Sequence, residues 1–363
     1  MYRGLWLTVA MLAFAPLLHG QDLMDWLHDT ALPAHTSTDS LDETDMAELL
    51  TLEPGENEMY PRVSPDGKYL LVISGKRRKP VITRRLIENG DPVNIVSEND
   101  PYVLGSINWR GNDTVTFLSY RADSLGLWEK PVAGGIIRRS MRLDGELANP
   151  VILDDGSIIA VRLRASSKRL TSSRHQAPGP KFDNWAMRGK QPYLVYINKN
   201  GAEHELTAGV NPSLSPDGQR LVFSMQAGKS WHLFMMSVDG SDLIQLTEGR
   251  NIDVQPTWSP DGKWIAFTSN RGDSYSGAAT STDSHSISGK TNWDIWLIGH
   301  DGRGLTRLTR NPAKEGAPSI SGNGRVYFHS DRKVDREDSK KHQVKGSTSG
   351  FHIWSVALPA RVS

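Results

Sequence analysis

Eleven histidines and no cysteine bound the chemistry this chain could perform. Thiolate ligands, thiol nucleophiles and disulfides are excluded. His175, His285 and His342 fall in long polar segments, and His329 closes an apolar run. Imidazoles from separate loops can converge on a divalent metal, as a metal-dependent lyase would require. Neither H-x-H nor H-E-x-x-H spacing occurs, however. Gly346–Gly350, "GSTSG", approaches the nucleophile elbow G-x-S-x-G, but threonine holds the central position. Glu58, Asp253 and Glu315 each stand three residues before a proline, a spacing that suggests repetition rather than a single acid–base pair. No catalytic residue, metal ligand or cofactor is therefore assigned.

The elements that carry these residues are set by a repeat. Ser-Pro-Asp-Gly occurs at 64–67, 215–218 and 259–262. Proline presets φ, aspartate suits the third place, and glycine accepts the left-handed conformation at the fourth; this is a type I turn entering a hairpin. Buried-strand patterns follow at 69–74, 220–225 and 264–269. Degenerate copies lie at 109–120, 151–163 and 319–330. A proline precedes the turn at Pro61, Pro150, Pro212, Pro256 and Pro318, where it is expected to open a strand, while the second unit has Ile107. Further turns recur at Asn89-Gly90, Gly134-Gly135, Asn200-Gly201, Asp239-Gly240 and Asp301-Gly302, and Leu-Thr trails them at Leu206-Thr207, Leu246-Thr247 and Leu308-Thr309.

Four strands per unit at a period of about 45 residues predict an all-β, six-bladed β-propeller of four-stranded antiparallel blades. The last unit ends without its fourth strand. Residues 47–67 match 242–262, including Leu50-Thr51, so a strand near 47–52 is expected to complete the last blade and close the ring. The propeller is predicted over 47–358, with a tail at 359–363.

The SPDG units, the "DIW" of 294–296, the Asp-Gly turn and the trailing Leu-Thr resemble the repeats of TolB-like six-bladed β-propellers. The resemblance covers the propeller part. A TolB protein carries a sizeable α/β domain before its propeller, whereas only Gln21–Met46 stand between the exported N-terminus and the first repeat here. Oligogalacturonate lyases resemble the same repeat, which keeps a metal-dependent polysaccharide lyase as the alternative reading. A prolyl-oligopeptidase-like activity would need a second, hydrolase domain.

The N-terminus reads as a secretory signal peptide over 1–20, with Arg3 before the apolar run Gly4–Leu18. An acidic leader over 21–46 follows, with a short helix expected at 22–32 and a linker beyond it. With a formal charge of +1 on 363 residues, nothing argues for nucleic-acid binding. The reading is a periplasmic monomer, not inserted in the membrane after cleavage.

Propeller topology sorts the loops. The tight A–B and C–D turns share one face; B–C and D–A loops share the other, and the long insertions at 164–191, 271–291 and 331–350 are all B–C. Long loops on a rigid scaffold tend to carry function. These loops are basic: Lys76, Arg77, Arg78, Arg169, Arg174, Arg332, Lys340 and Lys341 suit an anionic envelope protein or polymer. Glu58, Tyr60, Asn149, Asn211, Asp253, Gln255 and Glu315 are expected at the channel mouth. The expected function is a non-enzymatic protein- or polymer-binding scaffold of the bacterial cell envelope.

Overall fold

The computed structural model describes residues 46–53, 55–76, 79–88, 92–96, 106–165, 190–228, 230–271, 293–342 and 348–359. The predicted signal peptide and leader, Asn89-Gly90, Arg77, Arg78, Arg169, Arg174, His175 and His285 lie outside the described residues. Six four-stranded antiparallel sheets make up the fold. They form the blades of a propeller, each with strands A to D in sequence from the channel outward.

Blade 1 is Asn57–Val63, Tyr69–Lys76, Lys79–Leu86 and Val93–Val96. Blade 2 is Asn108–Arg110, Thr114–Ser119, Gly126–Pro131 and Arg138–Arg142. Blade 3 is Leu147–Ile152, Ile158–Ala165, Lys190–Ile197 and Glu203–Ala208. Blade 4 is Val210–Leu214, Arg220–Ala227, Ser230–Ser237 and Ile244–Gln245. Blade 5 is Asp253–Trp258, Trp264–Ser269, Asp294–Gly299 and Thr306–Arg307. Blade 6 takes Glu315–Ile320, Arg325–Ser330 and His352–Ala357, and its outer strand is Glu48–Leu49. That strand pairs antiparallel with the chain's last one, Glu48 opposite Ser355 and Leu49 opposite Trp354.

Each recurring motif has a mechanical role. In SPDG, the serine hydroxyl donates to the aspartate at 2.5–2.6 Å and accepts the N–H five residues on at 2.9 Å, in all three copies. The glycines Gly67, Gly218 and Gly262 sit at φ 73°, 71° and 70°, where a β-carbon is strained. In Leu-Thr, the leucine N–H donates to a C-strand carbonyl and the threonine hydroxyl accepts the N–H of that same residue. Leu246-Thr247 clasps Leu233, Leu308-Thr309 clasps Ile295, and Leu50-Thr51 clasps Ile353 across the chain ends.

The core lies between neighbouring blades. The fourth residue of the B strands, Val72, Phe117, Val161, Phe223, Phe267 and Phe328, is buried in every blade. Phe117, Phe223, Phe267 and Phe328 stand opposite Trp128, Phe234, Trp296 and Trp354 on the C strands. Such cross-strand aromatic pairs fix the register of a sheet.

The structure corrects the expectation for the repeated prolines. The repeated prolines do not open their strands; each lies within strand A, at a β-bulge. Registers shift between Met59 and Arg62, Ala148 and Val151, Val210 and Ser213, Val254 and Thr257, and Gly316 and Ser319. The residue before each proline is left-handed: Tyr60 at φ 56°, Asn149 at 45°, Asn211 at 51°, Gln255 at 55° and Ala317 at 50°. The bulge sets two strand-A residues against one on strand B and takes both out of the ladder, so the missing proline N–H leaves no gap in it. A short helix in the blade 6 B–C connection, α1 (Arg336–Lys341), is not anticipated by the repeat. Asp335 caps it by accepting the Asp338 N–H at 2.7 Å, with acids in its first turn and lysines in its last.

Candidate functional site in the central channel

The bulges aim strand-A side chains at the propeller axis and bound a cavity of about 590 Å³. Tyr60, Asn149, Asn211 and Gln255 line it, with Arg62, Asn108 and Trp109 beside them. Pro65, Gly111, Asp154 and Pro216 lie at its turn end, so this cavity occupies the half of the channel nearest the tight turns. Glu58, Asp253 and Glu315 do not line it.

The amides are partly engaged in holding blades together. Gln255 Oε1 accepts the Ala317 N–H at 2.8 Å and the Thr268 hydroxyl at 3.1 Å. Asn108 Nδ2 donates to the Pro150 carbonyl at 2.7 Å. Trp109 Nε1 donates to the Arg62 carbonyl at 2.8 Å, and Trp258 repeats this with Ser213 at 3.1 Å. Of the residues that line the cavity, two have a buried side-chain atom with no partner among the described residues: the Tyr60 hydroxyl and Asn211 Oδ1. Burial raises the Tyr60 phenol well above its usual range, against the opposing pull of Arg62. Burial also lowers the Arg62 guanidinium, with Tyr60 opposing. Arg62 nevertheless keeps accessible surface, because it faces the cavity.

The three acids instead sit buried between blades. Asp253 is bound by Arg271 and accepts the Ser269 hydroxyl at 2.6 Å, with His232 Nδ1 at 3.6 Å. Burial pushes its carboxyl up, but His232, Arg271 and Ser269 outweigh this and hold it below the usual range. Glu58 lies 3.3 Å from Arg85 and 3.4 Å from His352 Nδ1. Glu315 accepts from Arg332 Nε at 2.5 Å. Here the place of His232 and His352 is taken by Asp294, itself 2.8 Å from Arg307. Desolvation, with Asp294 adding to it, pushes Glu315 up to about 7, and desolvation pushes Asp294 up to about 6.

Arg332 belongs to this network and not to an exposed basic face. Its sequence signal is the triplet Ser-x-Arg at 119–121, 269–271 and 330–332. In each, the arginine N–H bonds the serine hydroxyl at 3.1–3.2 Å and the guanidinium lies 5.4–5.7 Å from an aromatic ring. Of the other basic B–C candidates, Lys340 and Lys341 are exposed on α1, and Lys76 ends strand B of blade 1. His342 closes α1, whereas His329 is buried against Tyr60 and Phe351, accepting the Tyr60 N–H at 3.3 Å. Among the described residues no group of three His, Asp or Glu could hold a metal ion. No helix among them is long and apolar enough to cross a membrane.

In fold this chain is a six-bladed β-propeller, and part of its repeat is similar to that of TolB propellers. The family described as TolB beta propeller domain matches residues 198–288. No curated protein sequence matches the chain. Among solved structures it is similar to regucalcin, a calcium-binding protein from Agrobacterium tumefaciens, with a TM-score of 0.52 and 12% identity, over 87% of this chain and 96% of that one. It is similar to an oligogalacturonate lyase from Vibrio parahaemolyticus, with a TM-score of 0.50 and 15% identity, over 91% and 97% of the two chains. Similarity to TolB from Acinetobacter baumannii has a TM-score of 0.46 and 14% identity, over 84% of this chain and 63% of that one. At these identities the likeness is one of fold, which hosts both binding proteins and enzymes.

Proposed function

We propose that this protein is a non-enzymatic binding propeller, exported to the periplasm, whose channel receives part of an anionic partner in the cell envelope. The observation that carries this reading is the cavity of about 590 Å³, lined by amides, an aromatic ring and one guanidinium. Rigid strands place these groups, and concave sites of this size with a few convergent polar groups are the usual form of a binding site. Lys340 and Lys341, with Lys76, Arg77, Arg78, Arg169 and Arg174 of the other B–C segments, belong to the opposite face and would attract the same anionic partner to the far mouth of the channel.

A photo-crosslinking residue at Asn211, in the full chain expressed in a bacterial envelope, tests the reading. It is expected to trap one envelope component, while the same probe at the exposed outer-strand residue Ile244 traps none. Equal labelling from both positions would remove the channel as the binding site. Fractionation of the same cells tests export, and recovery in the cytoplasm would overturn it.

A further inference from the structure

The repeat supplies its own control for finding a specialised residue. Two positions beyond the left-handed bulge residue, five A strands carry Arg62, Val151, Ser213, Thr257 and Ser319, and the unbulged strand of blade 2 has Asn108 at the matching place, one before Trp109. Five are neutral and short or of middling size. Only blade 1 places a long, permanently charged side chain there. All but Ser319 line the cavity. A residue kept for the mechanics of the blade would recur as the prolines do; Arg62 does not.

Nor does Arg62 have a structural partner like those of the other deep arginines. Arg85, Arg271, Arg307 and Arg332 each meet a buried carboxylate. Arg62 meets none among the described residues and donates only to the adjacent Pro61 carbonyl at 3.1 Å. Arg62 is half-buried, and partly desolvating a guanidinium without a counter-charge is costly. Tyr60 and Asn211 line the same cavity, and the buried Tyr60 hydroxyl, a donor, and Asn211 Oδ1, an acceptor, have no partner among the described residues. The other charged side chain on the cavity is Asp154, three strand positions further toward the turn end and exposed. An anion is therefore favoured at the depth of Arg62, and hydrogen-bond donors nearer Asp154 and Asn211.

We propose that the channel holds a small hydroxy-carboxylate, its carboxylate on Arg62 and Tyr60 and a hydroxyl directed to Asn211. A planar guanidinium matches a carboxylate by two parallel hydrogen bonds. The phenol supplies a further donor without carrying charge. The cavity volume fits one small molecule of this kind. The inference rests on the channel being a binding site, and adds the chemistry that it selects.

Two matched pairs of probes differ only in carboxylate against hydroxymethyl: gluconate with sorbitol, and lactate with propane-1,2-diol. Calorimetric titration of the full-length mature protein at constant ionic strength is expected to detect one or both acids and neither alcohol. Arg62→Gln is expected to weaken the acid by about tenfold or more, with Arg62→Lys in between. Affinity unchanged in Arg62→Gln, or no preference for either acid over its alcohol, would overturn the proposal. Should Arg62→Gln fail to fold, Tyr60→Phe removes one hydroxyl, and full-strength binding by that variant would remove the site as drawn. Crosslinking at Asn211 that persists in saturating gluconate would leave envelope binding standing while separating it from the carboxylate.

Discussion

Single residues in this propeller divide into those that repeat and those that do not, and the division tracks their roles. Gln255 shows how a repeated position acquires a structural duty: its side-chain oxygen accepts the Ala317 N–H of the next blade at 2.8 Å. Gln255→Ala would leave that N–H buried without a partner, a loss of about 1–3 kcal/mol. Chemical denaturation should register it, and Gln255→Glu, which keeps the acceptor, should recover part of the loss. An Ala variant as stable as wild type would show that Ala317 finds another acceptor. The places of Tyr60, Asn149, Asn211 and Gln255 before proline are legible in the sequence, and the four line a cavity in the turn half of the channel rather than its mouth on the B–C face. Glu58, Asp253 and Glu315 bear the same regularity, yet they are interblade ion pairs. Spacing reports the period of the strand; it does not report whether a carboxylate meets an arginine from a neighbouring loop. Arg62 lies in no motif, and only its departure from the repeat register marks it in the sequence.

At the scale of elements, the turn and the clasp carry the regularity from which the fold could be read. SPDG is a bend whose serine hydroxyl and aspartate satisfy the backbone locally, so its four letters need no ligand to account for them. Gly262 at φ 70° has no side-chain atom within 3.4 Å of an added β-carbon. Gly262→Ala should therefore cost only the left-handed backbone penalty, about 1–2 kcal/mol, seen as a lower melting temperature. A neutral outcome would mean that the turn relaxes. Phe267 makes a contrasting case: it is fully buried opposite Trp296 and under Arg271. Phe267→Ala should cost about 3–5 kcal/mol. The bulge was not legible, since a proline reads equally as the start of a strand and as an interruption within one. Its left-handed neighbour can be Asn, Tyr, Gln or Ala because the surrounding sheet over-determines the geometry. Helix α1 was missed because it is polar throughout, so no apolar period announces it.

At the scale of the whole molecule, blades meet by apolar packing, and three seams add a buried acid; of these three, the seam between blades 5 and 6 differs in charge. Where His232 and His352 face Asp253 and Glu58, Asp294 faces Glu315 instead. Both carboxyls are raised, to about 6 and about 7. In the unfolded chain they titrate near about 4. Between those limits the folded protein binds more protons than the unfolded one, so these two groups make stability fall as pH rises from about 4 to about 7 and then level off. The turn aspartates Asp66 and Asp217 have the opposite sign: held low by their serines, they contribute above their unfolded value and lose that contribution only as pH falls through their lowered one. The two effects thus occupy separate windows. Asp294→Asn removes the like charge and lets the Glu315 carboxyl come down, which should flatten the decline between about pH 5 and 7 whatever the variant does to absolute stability. Urea midpoints measured across that window for wild type and Asp294→Asn decide it. Parallel curves would mean that Arg307 and Arg332 already neutralise both acids, and that the seam is an ordinary ion-pair network rather than the pH-sensitive joint of the ring.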